Sequence, residues 1–379
     1  MTIRDLSADH AWIKYPAFYN AYPLRNEIAA AGADYGSKTP KSYGDIYIDD
    51  YYGRIFDTRS HSVTSKYGRS AKMNHYLSIR SLELIDELRV PYRRIPIFLT
   101  DNLAIIDRAI DEMCSSNSGY EILLRGQTKT YLIERSVEES IHFYGEDDLK
   151  EPSFLPSHMR NRFDPYFLKC MWQSQAAILL NDIGFELGGS LAKPDLDAYW
   201  NMVTQLRQSP AFILLSLGVA QHYGMPSVGL DLTDRLEVAC WFATHTITIA
   251  ASGQARTELI KFSSDQMPTI FVFRCPRDAV FDYKVTKPRE IPDGRPDKQS
   301  AWFGHVGWGA ASNQLGSYLM CGFRLTSDIA NDLDNKLDEE LFPSASQDLI
   351  LKHFLTMRGL EKYEGEAKRA LSGIYFMSD

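Results

Sequence analysis

The stretch SPAFILLSLGVAQHYG, Ser209 to Gly224, constrains the fold more than any other. Ser-Pro is a helix-start signal, because the first turn has no use for the N–H that proline lacks. The residues that follow are apolar almost all round, which predicts a central buried helix rather than a surface one. Gly224 suits a left-handed C-cap. The segment SVGLDLT, Ser227 to Thr233, then reads as a short buried strand. A chain of 379 residues has room for one large domain or two ordinary ones, and for the core such a helix needs.

Other elements follow from pattern. Tyrosines crowd residues 1–75, with alternation at Ile46, Tyr47 and Ile48 that suggests one short strand. That segment reads either as partly irregular chain packed on the main domain or as a contact surface for a partner or substrate. Residues 76–119 read as a helical lead-in. SIRSLELIDEL is expected as a short amphipathic helix, and TDNLAIIDRAIDEMCSS as another, with Leu103, Ile106, Ile110 and Met113 on one stripe. Thr100 or Asp101 would cap the second. EILLRG is expected as a strand after the turn-rich SNSGY, residues 166–187 as a helix, and TIFVFRCP as a strand. DRLEVACWFATHTI is expected as a helix, with Asp234 and Glu237 at capping-box spacing, and residues 345–371 as helical again. The order implies an α+β fold, a mixed sheet with flanking helices, in which residues 120–379 form the main domain. The strands are too short and scattered for a TIM barrel.

Composition excludes several function classes. The formal net charge of −8 gives no global signal for nucleic acid or an anionic membrane. The five cysteines are dispersed, which fits reduced thiols better than a disulfide framework. The first residues lack the apolar core of a signal peptide, and no apolar run reaches membrane-span length, so a cytoplasmic protein is expected. There is no CxxC, no P-loop, no GxGxxG after a strand, no HExxH and no GxSxG, so no metal is expected.

Four pieces remain: LLRGQ with Arg125, Gly126 and Gln127; FLPSHMRNR from Phe154 to Arg162; AQHYGMPSVGLDLTDRLEVACWFA from Ala220 to Ala243; and RPDKQSAWF from Arg295 to Phe303, followed at a distance by ELFPSASQDLILKHF. Read as residues, Arg125 is either a surface charge at a strand end or an anion clamp. His222 is either a satisfied core side chain or an acid/base, and Tyr223 is packing or a ligand contact. Asp231, between two leucines, needs a partner, and an internal salt bridge to Arg125 is one solution. Thr233 could cap a helix or touch a ligand.

Over about residues 120–357 these pieces resemble the FRG domain family, whose members show RGQ, LxPSxxR, AQHYGxPTRLLDWT and LFPD elements. Here PSVGLDLT stands where PTRLLDWT is usual. The order is also similar to that of ADP-ribosyltransferases of the Arg-Ser-Glu type: an arginine and glycine ending a strand, a polar strand running into a helix, and a late acidic position. That resemblance implies an ADP-ribosyltransferase-like core and NAD as cofactor. It implies Arg125, His222, Asp231 and Gln299 as catalytic. It implies Arg125, Gly126, Gln127, Tyr223, Thr233 and Arg295 as cofactor-binding, with Gly126 letting the ligand approach the backbone. Gln299, at the late position, carries no charge, and Glu290, Asp293, Asp297 and Asp231 are the candidate acids. The function expected is a nucleotide-using transferase, NAD-dependent, modifying a protein or nucleic acid as a toxin or in phage defence, with an activating partner left open. The alternatives are a non-catalytic binder of a nucleotide, nucleic acid or phage component, and a hydrolase or nuclease using the same polar cleft.

Overall fold

The computed structural model describes residues 41–43, 46–49, 51–52, 54–57, 67, 82–263, 267–305, 312–330, 337–360 and 362–377. Strands β1 (Lys41–Tyr43), β2 (Ile46–Asp49) and β3 (Arg54–Asp57) form a small antiparallel sheet. The strand expected at Ile46–Ile48 is therefore present, with two neighbours.

Eight strands make the main sheet: β4 (Glu83–Val90), β5 (Arg93–Thr100), β6 (Tyr120–Gln127), β7 (Gly229–Thr233), β10 (Thr269–Pro276), β11 (Val280–Asp282), β12 (Ala301–His305) and β13 (Leu319–Leu325). Their order is β11-β12-β7-β6-β10-β13-β5-β4. Only the β13–β5 pairing is parallel, so the sheet is mixed and the α+β expectation holds. A third sheet joins β8 (His245–Ile249), β9 (Gln254–Leu259) and β14 (Phe376–Met377).

Strand alternation divides the core. Ile122 and Leu124 of β6, with Ile270 and Val272 of β10, face the helices Leu103–Ser116 and Leu236–Thr244. Leu123, Phe271 and Phe273 point the other way, into a cluster with Phe154, Leu230 and Leu232. A larger helical core encloses the Ala211–His222 helix between the Pro165–Leu187, Lys193–Arg207 and Leu349–Arg358 helices. Nine of its residues are buried, among them Phe212, Leu217 and His222, as an apolar-all-round sequence requires. Gly224 follows at φ +86°, and a Cβ there would meet the Gly373 carbonyl at 2.3 Å.

Five local expectations are corrected. Of SIRSLELIDEL, residues 78–81 lie outside the described residues and Glu83–Leu88 belong to β4, paired antiparallel with the β-branched and aromatic β5, so pairing overrides a helix-like pattern. Residues 83–100 thus belong to the main sheet and are no helical lead-in. Asn102, not Thr100 or Asp101, caps the following helix by accepting from Ala104 N. The helix at DRLEVACWFATHTI stops at Thr244, where His-Thr-Ile-Thr-Ile, rich in β-branched residues, becomes β8. It carries no capping box: Asp234 accepts from Trp302 Nε1, and Glu237 pairs with Arg235. No helix among the described residues is long and apolar enough to cross a membrane.

The described tyrosines of the N-terminal segment pack beside a buried charge cluster. Tyr51, Tyr52 and Tyr67 pack with Ile133, Phe143 and Tyr144. Within that cluster Arg135 lies buried between two buried carboxylates, Asp49 at 3.0 Å and Glu151. Tyr67 donates to Asp49, and Tyr144 donates to Glu151 at 2.7 Å. Burial pushes the Glu151 carboxyl above the usual range, against the pull of Arg135. Removing the cation strands two carboxylates in the interior. Arg135→Met is expected to cost about 3–5 kcal/mol in urea unfolding at pH 7. The deficit should shrink toward acid pH, where protonated carboxyls need no cation.

Candidate active site

The sheet opens where β6 meets β7. These strands pair at one position only, Leu124 with Thr233. A cleft of about 250 Å³ lies there. Arg125 and Gly126 come from β6, Asp231 and Thr233 from β7, Gln221 and His222 from the end of the central helix, and Arg160 from the short helix Ser157–Arg160. Gln299 and Ala301 close one wall, and Val238, Ala239 and Phe242 another. All four residues expected to be catalytic therefore line one cleft.

Arg125 directs Nη1 to the carbonyl oxygen of Asp231, 2.6 Å away. The expected salt bridge to the Asp231 carboxylate is absent. Main chain takes that bond, so the guanidinium and the carboxylate form no direct ion pair, although Asp231 still acts on the Arg125 charge through space. Burial lowers the Arg125 pKa to about 10, Asp231 opposes that shift, and Arg160 adds to it. Arg125 is still charged at neutral pH. Arg160 is exposed and makes no ion pair among the described residues. Two cations thus face one cleft, an arrangement that favours an anion with more than one negative oxygen.

The Asp231 side chain is 38% exposed, the solvent-facing carboxylate of the site. Its Oδ1 lies 3.2 Å from His222 Nδ1, and its Oδ2 accepts from Gln221 Nε2 at 3.3 Å. Neither His222 ring nitrogen has an aligned hydrogen bond, although the side chain is buried. Burial pushes the His222 pKa down; Asp231 opposes this, Arg295 adds to it, and Asp297 opposes it. Burial therefore favours the neutral form of the imidazole.

The other expected residues divide. Thr233 lines the cleft, but its hydroxyl donates to the Gln299 carbonyl and accepts from Arg235 N, so it fastens two walls. Gln299 lines the cleft while its amide donates one of its two hydrogens to the Leu341 carbonyl, which fixes it as a wall. Gly126 is glycine for packing. A Cβ there would lie 1.9 Å from the Ala239 carbonyl, so the tight approach is to the Leu236–Thr244 helix and not to a ligand.

Tyr223 and Arg295 do not reach the cleft. Tyr223 is fully buried and donates to Asp348. Arg295 is fully buried among the rings of Tyr223, Phe342 and Tyr375, with Nη2 on the Tyr375 carbonyl and Nη1 on the His222 carbonyl. Both anchor the end of the central helix. Gln127 lies beyond the cleft lining. Of the candidate acids, Asp293 and Asp297 pair with Lys287 and Glu290 with Arg289, all outside the cleft; Asp231 alone is in it. Among the described residues no cluster of His, Cys, Asp or Glu could hold a metal ion. Residue-by-residue reading missed Arg160 and Gln221, although both stand in the quoted motifs, PSHMR and AQHYG.

Comparison of the chain with protein-family models, with curated proteins and with solved structures found no match in any of the three.

Two measurements check this geometry. Gly126→Ala should destabilise the protein by about 2–3 kcal/mol in urea unfolding, because a methyl has no room against helix backbone. Stability should also fall as pH drops from about 6.5 toward 4. Burial holds His158 down at about 4 and lowers His222, so the unfolded chain binds protons there that the folded chain does not. His158→Phe should flatten that slope, measured as unfolding free energy at pH 7 and 5.

Proposed function

We propose that the cleft binds NAD and transfers its ADP-ribosyl group to a macromolecular acceptor, a protein or a nucleic acid. The observation that carries this reading is the coexistence, in one cleft, of two arginines and an Asp231 carboxylate that is ion-paired with neither of them. A diphosphate suits the arginines, since a guanidinium can bind phosphate oxygens in pairs. A carboxylate left free suits a sugar cation. The cleft is smaller than the roughly 300–1,000 Å³ typical of whole-ligand sites. In this reading it takes the reacting half of the dinucleotide, and the rest lies along the rim beside Arg160.

The chemistry follows from charge placement. The bond from ribose C1′ to the nicotinamide nitrogen breaks, and its electron pair neutralises the pyridinium. Positive charge develops on C1′ and the ring oxygen, where Asp231 stabilises it. The acceptor nucleophile bonds to C1′ and gives up its proton, which the neutral His222 beside Asp231 can take. A toxin or antiviral effector acting in the cytoplasm fits an enzyme that uses NAD in this way, with an activating partner where one is required.

The test is nicotinamide release from NAD, with and without cell extract. Asp231→Asn keeps the shape and removes the charge. It should lower the rate about 100-fold or more while leaving thermal unfolding unchanged. Release at the wild-type rate by Asp231→Asn contradicts the reading. Binding of NAD without release in any extract would instead make the cleft a recognition site.

A further inference from the structure

Asp231 has two oxygens, and they are held differently. Oδ1 lies 3.2 Å from His222 Nδ1 and has no aligned hydrogen bond. Oδ2 accepts from Gln221 Nε2 at 3.3 Å. The Gln221 amide is fixed in turn. Its Oε1 lies 3.3 Å from the Ser157 hydroxyl. That hydroxyl accepts from Ser227 N at 2.9 Å and lies 3.3 Å from the Ser227 carbonyl. With Oε1 facing a hydroxyl, the amide presents its NH2 to Asp231. A donor on Oδ2 favours the ionised carboxylate; Oδ1 is enclosed against His222, so Oδ2, the oxygen that Gln221 holds, is the one that meets the cleft.

The chain order suits this arrangement. Gln221 and His222 are successive residues at the last turn of the central helix, whose preceding residues are buried in the helical core. Ser157 begins the short helix that ends at Arg160. One network therefore connects the element that carries Arg160 to the Asp231 carboxylate.

We propose that Gln221 is the positioning residue of this cleft, holding Oδ2 of Asp231 toward the reacting centre while Oδ1 stays packed against His222. The proposal rests on the reading of the cleft as an active site, but its geometry can be tested without turnover. His222 is faced by Asp231 from β7, by the Tyr283 ring from the helix Tyr283–Thr286, and by Arg295 and Asp297 from the helix Arg295–Lys298. A new negative charge at position 221 would add to Asp231 and Asp297 and act against Arg295.

Two variants separate donor from shape. Gln221→Met keeps the length and removes the donor. Gln221→Glu keeps the shape and sets a second carboxylate against Asp231. Gln221→Met should lower kcat for nicotinamide release about 10- to 100-fold, with KM for NAD within about twofold, since Arg125 and Arg160 are untouched. In Gln221→Glu the acid limb of the pH–rate profile should move to higher pH. The His222 ring resonance, identified by its loss in His222→Gln, should then titrate at least about one pH unit higher than in the wild type. In Gln221→Met its midpoint should rise far less, because no charge is added. A shifted His222 midpoint in an enzyme that releases no nicotinamide would retain the positioning role and overturn the NAD reading. An unmoved His222 midpoint in Gln221→Glu, or full kcat in Gln221→Met, would overturn the positioning role whatever the fate of NAD.

Discussion

The hydrogen bond from Arg125 to the carbonyl oxygen of Asp231 governs the site. Strands β6 and β7 pair only at Leu124 and Thr233. The Asp231 carbonyl is one that a continued ladder would have occupied, and a buried carbonyl needs a donor. Arg125 supplies it from the adjacent strand. This one contact bridges the opened sheet, fixes a guanidinium at the lip of the cleft, and leaves the Asp231 side chain for other partners. Had the arginine paired with the carboxylate, the cleft would hold a neutral ion pair and little reason to bind an anion.

The surrounding packing serves this opening. Gly126 lets the Leu236–Thr244 helix press against β6, with Ala239 close to the glycine backbone. Gly218 lies against Phe303 of β12, the residue paired with Asp231 across the sheet. The central helix can then approach β7 and bring Gln221 and His222 to the carboxylate. Behind it, Asp348 accepts from Tyr223, from Arg295 N and from the first turn of the Leu349–Arg358 helix. A carboxylate with this many donors is a rigid anchor, and Arg295 stacked among three rings completes it. Tyr223 and Arg295 stand close in sequence to site residues because they hold those residues in place.

Much of the frame was legible because its signals are local. The uniform apolarity of Phe212–Ala220 requires burial, and EILLRG and TIFVFRCP have the run length and β-branched content of inner strands. Glu83–Val90 was illegible for the converse reason. Its residues suit an amphipathic helix, and only pairing with β5 decides for a strand. In the site, Arg125, His222 and Asp231 were visible as polar residues set into apolar segments. The partner of Arg125 was not, since a main-chain carbonyl carries no sequence signal. Gln299 and Thr233 were found in the right place, but the bonds from Gln299 to the Leu341 carbonyl and from Thr233 to the Gln299 carbonyl depend on how distant segments meet. Arg160 was hidden by exposure: one arginine in PSHMRNR looks like any other until the fold turns it toward Arg125.

The central claim is that the two arginines form one anion site beside a carboxylate that pairs with neither of them. Calorimetric titration with ADP-ribose tests it most directly, because it needs no turnover and no acceptor. Arg160 has no ion pair among the described residues, so its truncation should leave the fold intact. The account predicts that Arg160→Ala weakens ADP-ribose binding about tenfold or more, and that the wild-type affinity falls with added salt. Equal affinity in the two proteins, or binding insensitive to salt, would contradict it.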